Sequence, residues 1–225
     1  MKELITNAED FSDDPAIKLL NPAVGFKNSR GVITNFNSNL AEVKLFDGKI
    51  GHISITEFYP NRNFALNDSY DFLVLKDGEH PILTVAHPNL VLAIFEGLAP
   101  ELREGKVRTF GIVRRMGIRT KLAVASTEEG LDPVGIFVGK AANRIKEATK
   151  RLAGERVDII PFHPNKEIFI ANALGVKVDK ITLNNGVYEV YVPKHQYRAA
   201  IGGGGLNVAL AARLTEEKIT IKIAE

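Results

Sequence analysis

The chain has 225 residues, of which 45% are hydrophobic and 25% charged, and it contains no cysteine. This composition is typical of soluble globular domains, and the lack of cysteine excludes disulfides, thiolate nucleophiles and cysteine-ligated metal sites. The net charge of +2 hides an asymmetry, because residues 101–156 carry 13 Lys and Arg against 7 Asp and Glu, whereas residues 1–100 carry 8 against 13. The basic segment is explained equally well by contact with a polyanion and by a solvated charged face.

The sequence also bears on location. No window approaches the roughly 18 apolar residues that a membrane span needs. Met1 to Leu4 lead into an acidic stretch rather than the apolar core of a signal peptide. We therefore expect a cytoplasmic protein with no membrane partner.

The first folded segment is predicted over residues 26–87, after an acidic tail at residues 1–25. Residues 40–45 and 50–55 read as strands that flank Asp47-Gly48, a strong hairpin signal. Further strands at 32–33, 72–75 and 81–85 give about five short strands, which favours a small barrel of the OB type. Phe36 and His52 are candidates to stack on bases there, although packing within the barrel explains them equally well.

Residues 88–100 have apolar side chains at helical spacing and are predicted to form a helical linker. Beyond it, residues 107–113 and 122–125 read as strands, and Asp132-Pro133 opens a helix with an N-cap carboxylate and a proline at the first position. That helix is interrupted at residues 138–142, resumes to residue 152, and is followed by a strand at 156–161.

The same pattern then returns. Gly139 is matched by Gly202, 63 residues later, and the strand after Arg156 is matched by one after Lys218. Strands at 176–183 and 187–192, joined by the turn at 184–186, precede the second copy. Residues 101–172 and 173–225 are therefore predicted to be two copies of one α+β unit, so that the chain is a multidomain α+β protein.

A Gly-x-x-Gly loop between two helices has a physical use. Without Cβ atoms a nucleic-acid backbone can approach the loop, and the following helix N-terminus offers free N–H donors to phosphate. KH domains hold about four nucleotides of single-stranded RNA in this way. Gly202 to Gly205 fit this loop in full, whereas the first copy has Ala142 in place of its second glycine. The predicted RNA-binding residues of the KH units are Arg114, Arg115, Arg119, Gly139, Lys140, Asn143, Arg144, Lys146, Gly202, Gly203, Gly204, Gly205, Asn207 and Arg213.

Several segments resemble the NusA family of bacterial transcription factors, in order and spacing, from residue 88 to residue 225. They are residues 100–105, 117–124, 132–135 and 155–160 for a first KH domain, 169–174 for the junction, and 200–202, Asn207 and 210–215 for a second. Residues 50–54 resemble the third strand of the OB domain of that family. The resemblance implies an OB barrel followed by two KH domains of the prokaryotic type II. It also implies single-stranded RNA binding in transcription elongation, termination or antitermination.

The resemblance also has a limit. NusA proteins normally begin with a polymerase-docking domain, and about 25 residues precede the OB segment here, so the chain is expected to be a short form or a fragment. An RNA polymerase elongation complex is a candidate partner on resemblance alone. We expect a monomer.

The rival classes are weaker. Residues 135–141 lack the spacing and the Ser or Thr of a P-loop, and Gly202 to Gly205 lack the closing glycine of a dinucleotide fingerprint. The five histidines are scattered, with no pair at the spacing of metal ligands on a helix. We therefore expect no enzyme activity, no metal and no cofactor. An RNA-binding module of translation or RNA decay, or a protein-docking scaffold, remains open as an alternative.

Overall fold

A computed structural model describes residues 18–20, 27–58 and 64–224. Strand β1 (Lys18–Leu20) comes first. The next five strands close a barrel in the order β2-β3-β4-β6-β5, as the alternation of β3 and the Asp47-Gly48 turn predict. They are β2 (Asn28–Phe36), β3 (Leu40–Leu45), β4 (Ile50–Ser54), β5 (Ser69–Lys76) and β6 (Ile82–Thr84). Ala41, Val43 and Leu45 of β3 point into the barrel, where they are almost fully buried.

Helix α1 (Asn89–Leu98), followed by the short helix α2 (Pro100–Arg103), lies where a helical linker is predicted. Its residues 89–95 are all buried, and it packs against β5. The Phe95 ring lies 4.9 Å from that of Phe137 in the next module. The helix is thus part of a hydrophobic core that the barrel and the next module share.

The first α+β module contains strands β7 (Val107–Arg115), β8 (Arg119–Ser126) and β9 (Arg156–Pro161), with helices α3 (Pro133–Val138) and α4 (Asn143–Arg151) between β8 and β9. Strand β8 pairs antiparallel with β7 and parallel with β9. The Asp132 side chain accepts the N–H of Val134 at 3.0 Å, so the predicted N-cap is confirmed. Strand β1, which lies in the predicted tail, pairs with β7 and extends this sheet.

The second module begins with helix α5 (Lys166–Leu174) and continues with β10 (Lys180–Asn184), β11 (Val187–Val192), α6 (Tyr197–Ile201), α7 (Leu206–Thr215) and β12 (Lys218–Ile223). Its sheet repeats the same pattern, because β11 pairs antiparallel with β10 and parallel with β12. Helix α5 packs on α7, and the boundary expected between residues 172 and 173 falls inside it. A barrel followed by two α+β modules of one topology confirms the predicted fold class.

The two modules share a hydrophobic core. Val113, Ala123 and Ile160 on one face of the first sheet join the core that contains Leu174 and Leu210 of the second module. Helix α7 packs against β7 and β8. This apolar contact joins the two modules through one core.

A buried lysine lies in this contact. Lys121 is 1% exposed, donates to the Ala173 carbonyl at 2.7 Å, and lies 3.1 Å from the carboxylate of Asp158. Burial lowers the pKa of Lys121 to about 8, against the opposing effect of Asp158. Burial would raise the pKa of the Asp158 carboxyl, but the positive charges of Lys121, Arg119 and Arg156 outweigh it and lower that pKa.

Within the described ranges, no helix is both long enough and apolar enough to span a bilayer.

Candidate nucleic-acid interface

The two interhelical loops have the same backbone conformation at their first residue. Gly139 has φ 74° and ψ 169°, and Gly202 has φ 78° and ψ 169°. A side chain is excluded at both positions, because a Cβ on Gly202 would lie 2.7 Å from the Cβ of Asn207, and one on Gly139 would collide with Asn143. The helix-to-helix turn therefore needs glycine at this point in each module.

The last two residues of each loop are left-handed in both modules, although the first module has no glycine there. Ala141 and Ala142 have φ 51° and 60°, and Gly204 and Gly205 have φ 60° and 79°. A left-handed alanine costs about 1–2 kcal/mol relative to glycine, because its Cβ crowds the following carbonyl oxygen. The first module thus keeps the loop geometry despite the unfavourable residue type, so its backbone can meet a phosphate in the same way as the second.

Each loop leads into a helix whose N-cap residue supplies no side-chain hydrogen bond, although the Arg144 N–H in α4 donates to the Asn143 side chain at 2.9 Å. Neither Ala142 before α4 nor Gly205 before α7 supplies a capping side chain. The first N–H groups, of Asn143 and Leu206, donate to the Lys140 and Gly203 carbonyls, so it is the positive end of each helix dipole that favours phosphate binding here. Gly203 and Gly204 are exposed, and no atom lies within 4 Å of a Cβ built on either. The second loop is therefore open to a ligand.

The side chains predicted around the first loop are only partly available. Lys140 and Asn143 are exposed. Lys146 is also exposed, and its ammonium donates to the Ala141 carbonyl at 3.3 Å, which places this charge beside the loop. Arg144, in contrast, donates to the Glu101 carboxylate and to the Ile136 carbonyl at 2.7 Å. Arg144 therefore ties α4 to α2 and α3, while Lys140 and Lys146 supply the accessible charge.

Arg114 is not at the surface. Its side chain is 3% exposed and pairs with Glu155, which is fully buried. Its Nη1 donates to the carbonyl oxygens of Val85 at 2.6 Å and His87 at 3.0 Å, at the end of the barrel. We therefore remove Arg114 from the candidate RNA contacts, because its guanidinium is buried and already hydrogen bonded.

Arg119 and Arg115 differ in their surroundings. Arg119 is partly buried and pairs with the Asp158 carboxylate at 2.6 Å. Arg115 is partly exposed at the end of β7. Neither lies in one of the two glycine-containing loops, so both are peripheral to the loop geometry.

Asn207 is also structural. It is 1% exposed, and its amide nitrogen donates to the carbonyls of Leu174, Ala199 and Ala200 at 3.0–3.2 Å. These bonds hold the ends of α5 and α6 against α7, so Asn207 shapes the loop from behind and is removed as a direct contact. Arg213 is exposed, but it lies near the C-terminal end of α7, about two helical turns from the loop.

The two candidate residues on the barrel, Phe36 and His52, also differ in accessibility. The Phe36 ring packs edge-on against that of Phe58 at 5.5 Å and joins the edge of the core. His52 is half-buried on β4, with its ring 5.9 Å from that of His80. The packing alternative thus accounts for Phe36, whereas His52 keeps an accessible ring.

Three accessible residues near the second loop escaped the sequence reasoning. Lys194, His195 and Arg198 are exposed and precede Gly202 in the chain. Lys194 and His195 lie on the short 3-10 helix Lys194–Gln196, and Arg198 lies on α6. The signal in the sequence was the presence of two cations, Lys194 and Arg198, within the ten residues before Gly202. Among the described residues, no group of three or more His, Cys, Asp or Glu side chains is placed to hold a metal ion.

Comparisons with known proteins agree with this geometry. Residues 85–162 match the NusA-like first KH domain, and residues 166–225 match the NusA-like second KH domain. The two matches together cover more than half of the chain.

Relatives extend the similarity to longer stretches. The "Transcription termination/antitermination protein NusA" of Halalkalibacterium halodurans is 33% identical over 178 residues, which cover 76% of this chain and 47% of that protein. The proteins of the same name from Bacillus subtilis and Mycobacterium tuberculosis are 32% and 36% identical, over 85% and 66% of this chain and 54% and 45% of their own lengths. The chain thus spans about half the length of the curated relatives it matches. By its tandem KH domains and these relatives, the chain belongs to the NusA family.

Proposed function

We propose that this protein binds single-stranded RNA across its two KH loops and acts in transcription termination or antitermination. The observation that carries the proposal is the shared loop conformation, from Gly139 and from Gly202 onward, at the N-terminal end of a helix in each module. The transcriptional role of the relatives, which are termination/antitermination proteins by name, supports this assignment.

In this proposal the two loops act on the RNA backbone rather than on base edges. Phosphate oxygens lie at the positive ends of the α4 and α7 dipoles, beside the exposed backbone of each loop. Lys140 and Lys146 add charge at the first loop, and Lys194 and Arg198 add it at the second. The shared core between the modules keeps the two loops at a fixed separation, which suits one continuous strand.

The remaining elements of the function follow from the transcriptional role. We propose that the protein binds RNA without catalysing a reaction, and that an RNA polymerase elongation complex is its partner. We further propose that it acts as a monomer in the cytoplasm. The packing of α7 against β7 and β8 within one chain supports the monomer, because this face of the first sheet is covered without a second copy.

The decisive test is the single change Gly203→Asp. A Cβ at Gly203 meets no atom within 4 Å and the position needs no left-handed backbone, so the variant should fold as the parent does. Its carboxylate would lie where we place a phosphate. At about 4 Å two like charges repel by roughly 1 kcal/mol in water and about 4 kcal/mol at an effective dielectric constant of 20, so we expect affinity for a single-stranded RNA to fall at least about fivefold.

Two matched variants control for this experiment. Gly203→Asn has nearly the same shape without the charge, and Asn185→Asp adds the same charge at the exposed turn before β11. We expect both to bind RNA within about twofold of the parent. Duplex DNA of equal length should bind more weakly than RNA to all of them. If Gly203→Asp binds single-stranded RNA as well as Gly203→Asn does, the second loop is not a phosphate clamp and the proposal fails.

A further inference from the structure

The outer faces of the two sheets are equivalent in register but differ at the positions that are apolar in the first sheet. In the first module, β7, β8 and β9 align Val113, Lys121 and Asp158 in one row, and Ala123 with Ile160 in the next. In the second module, β10, β11 and β12 align Thr182, Glu189 and Thr220 in one row, and Lys180, Tyr191 and Lys222 in the next. The rows correspond through the common topology, and the residues that face the helices, such as Val157 and Ile219, are buried in both.

The first of these faces is covered. Val113, Ala123 and Ile160 belong to the core that contains α5 and α7, and Lys121 is hydrogen bonded to the Ala173 carbonyl. A third KH module could not dock on the second face in the same way, because Thr182, Tyr191 and Lys222 stand at the positions of Val113, Ala123 and Ile160. An apolar protein partner is disfavoured for the same reason, since the centre of a protein interface is depleted of charge.

The second face has the composition of a nucleic-acid platform. Tyr191 lies at its centre, with the ammonium groups of Lys180 and Lys222 at 5.9 and 5.8 Å from its ring centroid. Lys218 adds a third positive charge on the same face. Sequence-tolerant binders of single strands combine an aromatic ring, on which a base stacks, with cations that meet the phosphates.

One carboxylate holds this arrangement in place. Glu189 accepts hydrogen bonds from the Lys222 ammonium at 2.6 Å, from the Tyr191 hydroxyl at 3.0 Å and from the Asn184 amide at 2.8 Å. The hydrogen bond from Lys222, followed by those from Tyr191 and Asn184, lowers the pKa of the Glu189 carboxyl, which therefore stays ionised at neutral pH. Its charge is matched by Lys222, and the Lys180 ammonium lies beside the same Tyr191 ring.

The face also adjoins the proposed clamp along the chain. Strand β11 ends at Val192, and the exposed residues Lys194, His195 and Arg198 lie on the segment that leads from it to the loop at Gly202. Three residues of extended chain span at most about 11 Å, so Lys194 lies near the row of Tyr191. The cations therefore continue from the loop toward the sheet.

We propose that the outer face of the β10-β11-β12 sheet is a second contact for single-stranded RNA, on which a base stacks against Tyr191 while Lys180 and Lys222 hold the neighbouring phosphates. This inference rests on the proposed function, because it assigns the face to RNA that extends beyond the clamp at Gly202 to Gly205. An RNA of about five nucleotides fills the clamp alone, and one of about twenty reaches the face as well.

The test uses the double variant Lys180→Thr, Tyr191→Thr, which keeps residue types that favour strands. Fluorescence anisotropy would measure its affinity for both RNAs. We expect unchanged binding of the short RNA and about tenfold weaker binding of the long one, since loss of one stacked base is worth about 1–3 kcal/mol. The control Lys177→Thr removes the same charge from the exposed loop before β10 and should change neither affinity by more than about twofold.

A direct readout complements the affinities. A long RNA that carries photoreactive uridines should crosslink to the peptide that contains Tyr191 in the parent, and not when the short RNA is used. If the double variant binds the long RNA as tightly as the parent does, while Gly203→Asp still weakens both RNAs, the second contact is refuted and the proposed function stands. If Gly203→Asp leaves both affinities unchanged, the proposed function itself fails.

Discussion

The buried pair of Arg114 and Glu155 offers the sharpest test of how this chain is held together. Glu155 is fully buried and accepts from Arg114 Nε and Nη2, from the Gly117 N–H at 2.8 Å and from the Thr120 hydroxyl at 2.5 Å. Arg114 also donates to two carbonyls at the end of the barrel. One guanidinium thus connects the barrel, β7 and the start of β9.

The change Arg114→Met should be strongly destabilising. It keeps much of the volume but leaves the Glu155 carboxylate buried without its cation, and it leaves the Val85 and His87 carbonyls without that donor. Removal of one partner from a buried ion pair typically costs 3–5 kcal/mol, because the remaining charge cannot be solvated. We expect a loss of about 3–5 kcal/mol in the free energy of unfolding. Arg114→Lys should recover only part of it, because an ammonium cannot form the paired hydrogen bonds of a guanidinium.

Urea denaturation followed by circular dichroism would measure this loss, since the chain has no tryptophan for fluorescence. The control is Lys27→Met, whose partner Asp77 is half-exposed in its ion pair, so no measurable change in midpoint is expected. A loss below about 1 kcal/mol for Arg114→Met would refute the reasoning, and so would a weaker salt dependence of RNA affinity in an Arg114→Met protein that remains folded, because removal of the charge is what would remove a phosphate contact. The latter result would return Arg114 to the RNA surface.

Two further predictions concern the KH modules. Burial lowers the pKa of Lys121 to about 8, below its unfolded value of about 10.4, so the unfolded chain binds an additional proton between these values and the contribution of Lys121 to stability rises with pH there. Lys121→Met should lack that rise, so the free energy of unfolding of the parent minus that of the variant should increase from pH 7 to 10. The exposed-site control Lys150→Met should retain the rise, so its difference from the parent should stay constant over the same range. Ala142→Gly should raise the thermal midpoint by a few degrees, because it relieves a left-handed alanine worth about 1 kcal/mol, while Ala199→Gly within α6 should lower it. Equal shifts of the same sign would mean that the loop strain is absent.

Local patterns in the sequence were sufficient for much of the fold. The barrel hairpin at Asp47-Gly48, the N-cap at Asp132 and the repeated helix–loop–helix with its glycines are all short-range features. Each depends on residues within a few positions of one another, where side-chain size and backbone preference act directly. The resemblance of residues 88–225 to the NusA family could be recognised for the same reason, because the motifs that carry it are short and follow one another in order along the chain.

The candidate site was harder to read, since the fate of a charged side chain depends on residues far away in sequence. Arg114 was predicted to contact an RNA phosphate. Its partner Glu155, however, is 41 residues away in sequence, and both side chains are buried only when the first module packs against the barrel. Asn207 fitted a loop motif, but its side-chain amide donates a hydrogen bond to the carbonyl of Leu174, 33 residues earlier. The pairing of β1 with β7 likewise joins segments over ninety residues apart.

Sequence by itself therefore determined the order of the modules, their topology and the presence of a glycine loop in each. Tertiary structure decided which cations face solvent, that Ala141 and Ala142 take the left-handed conformation of the glycines they replace, and which sheet face is covered. The reason is physical. Backbone preferences act over a few residues, whereas burial and ion pairing are set by the packing of β7, β8, α5 and α7, which no short stretch of sequence contains.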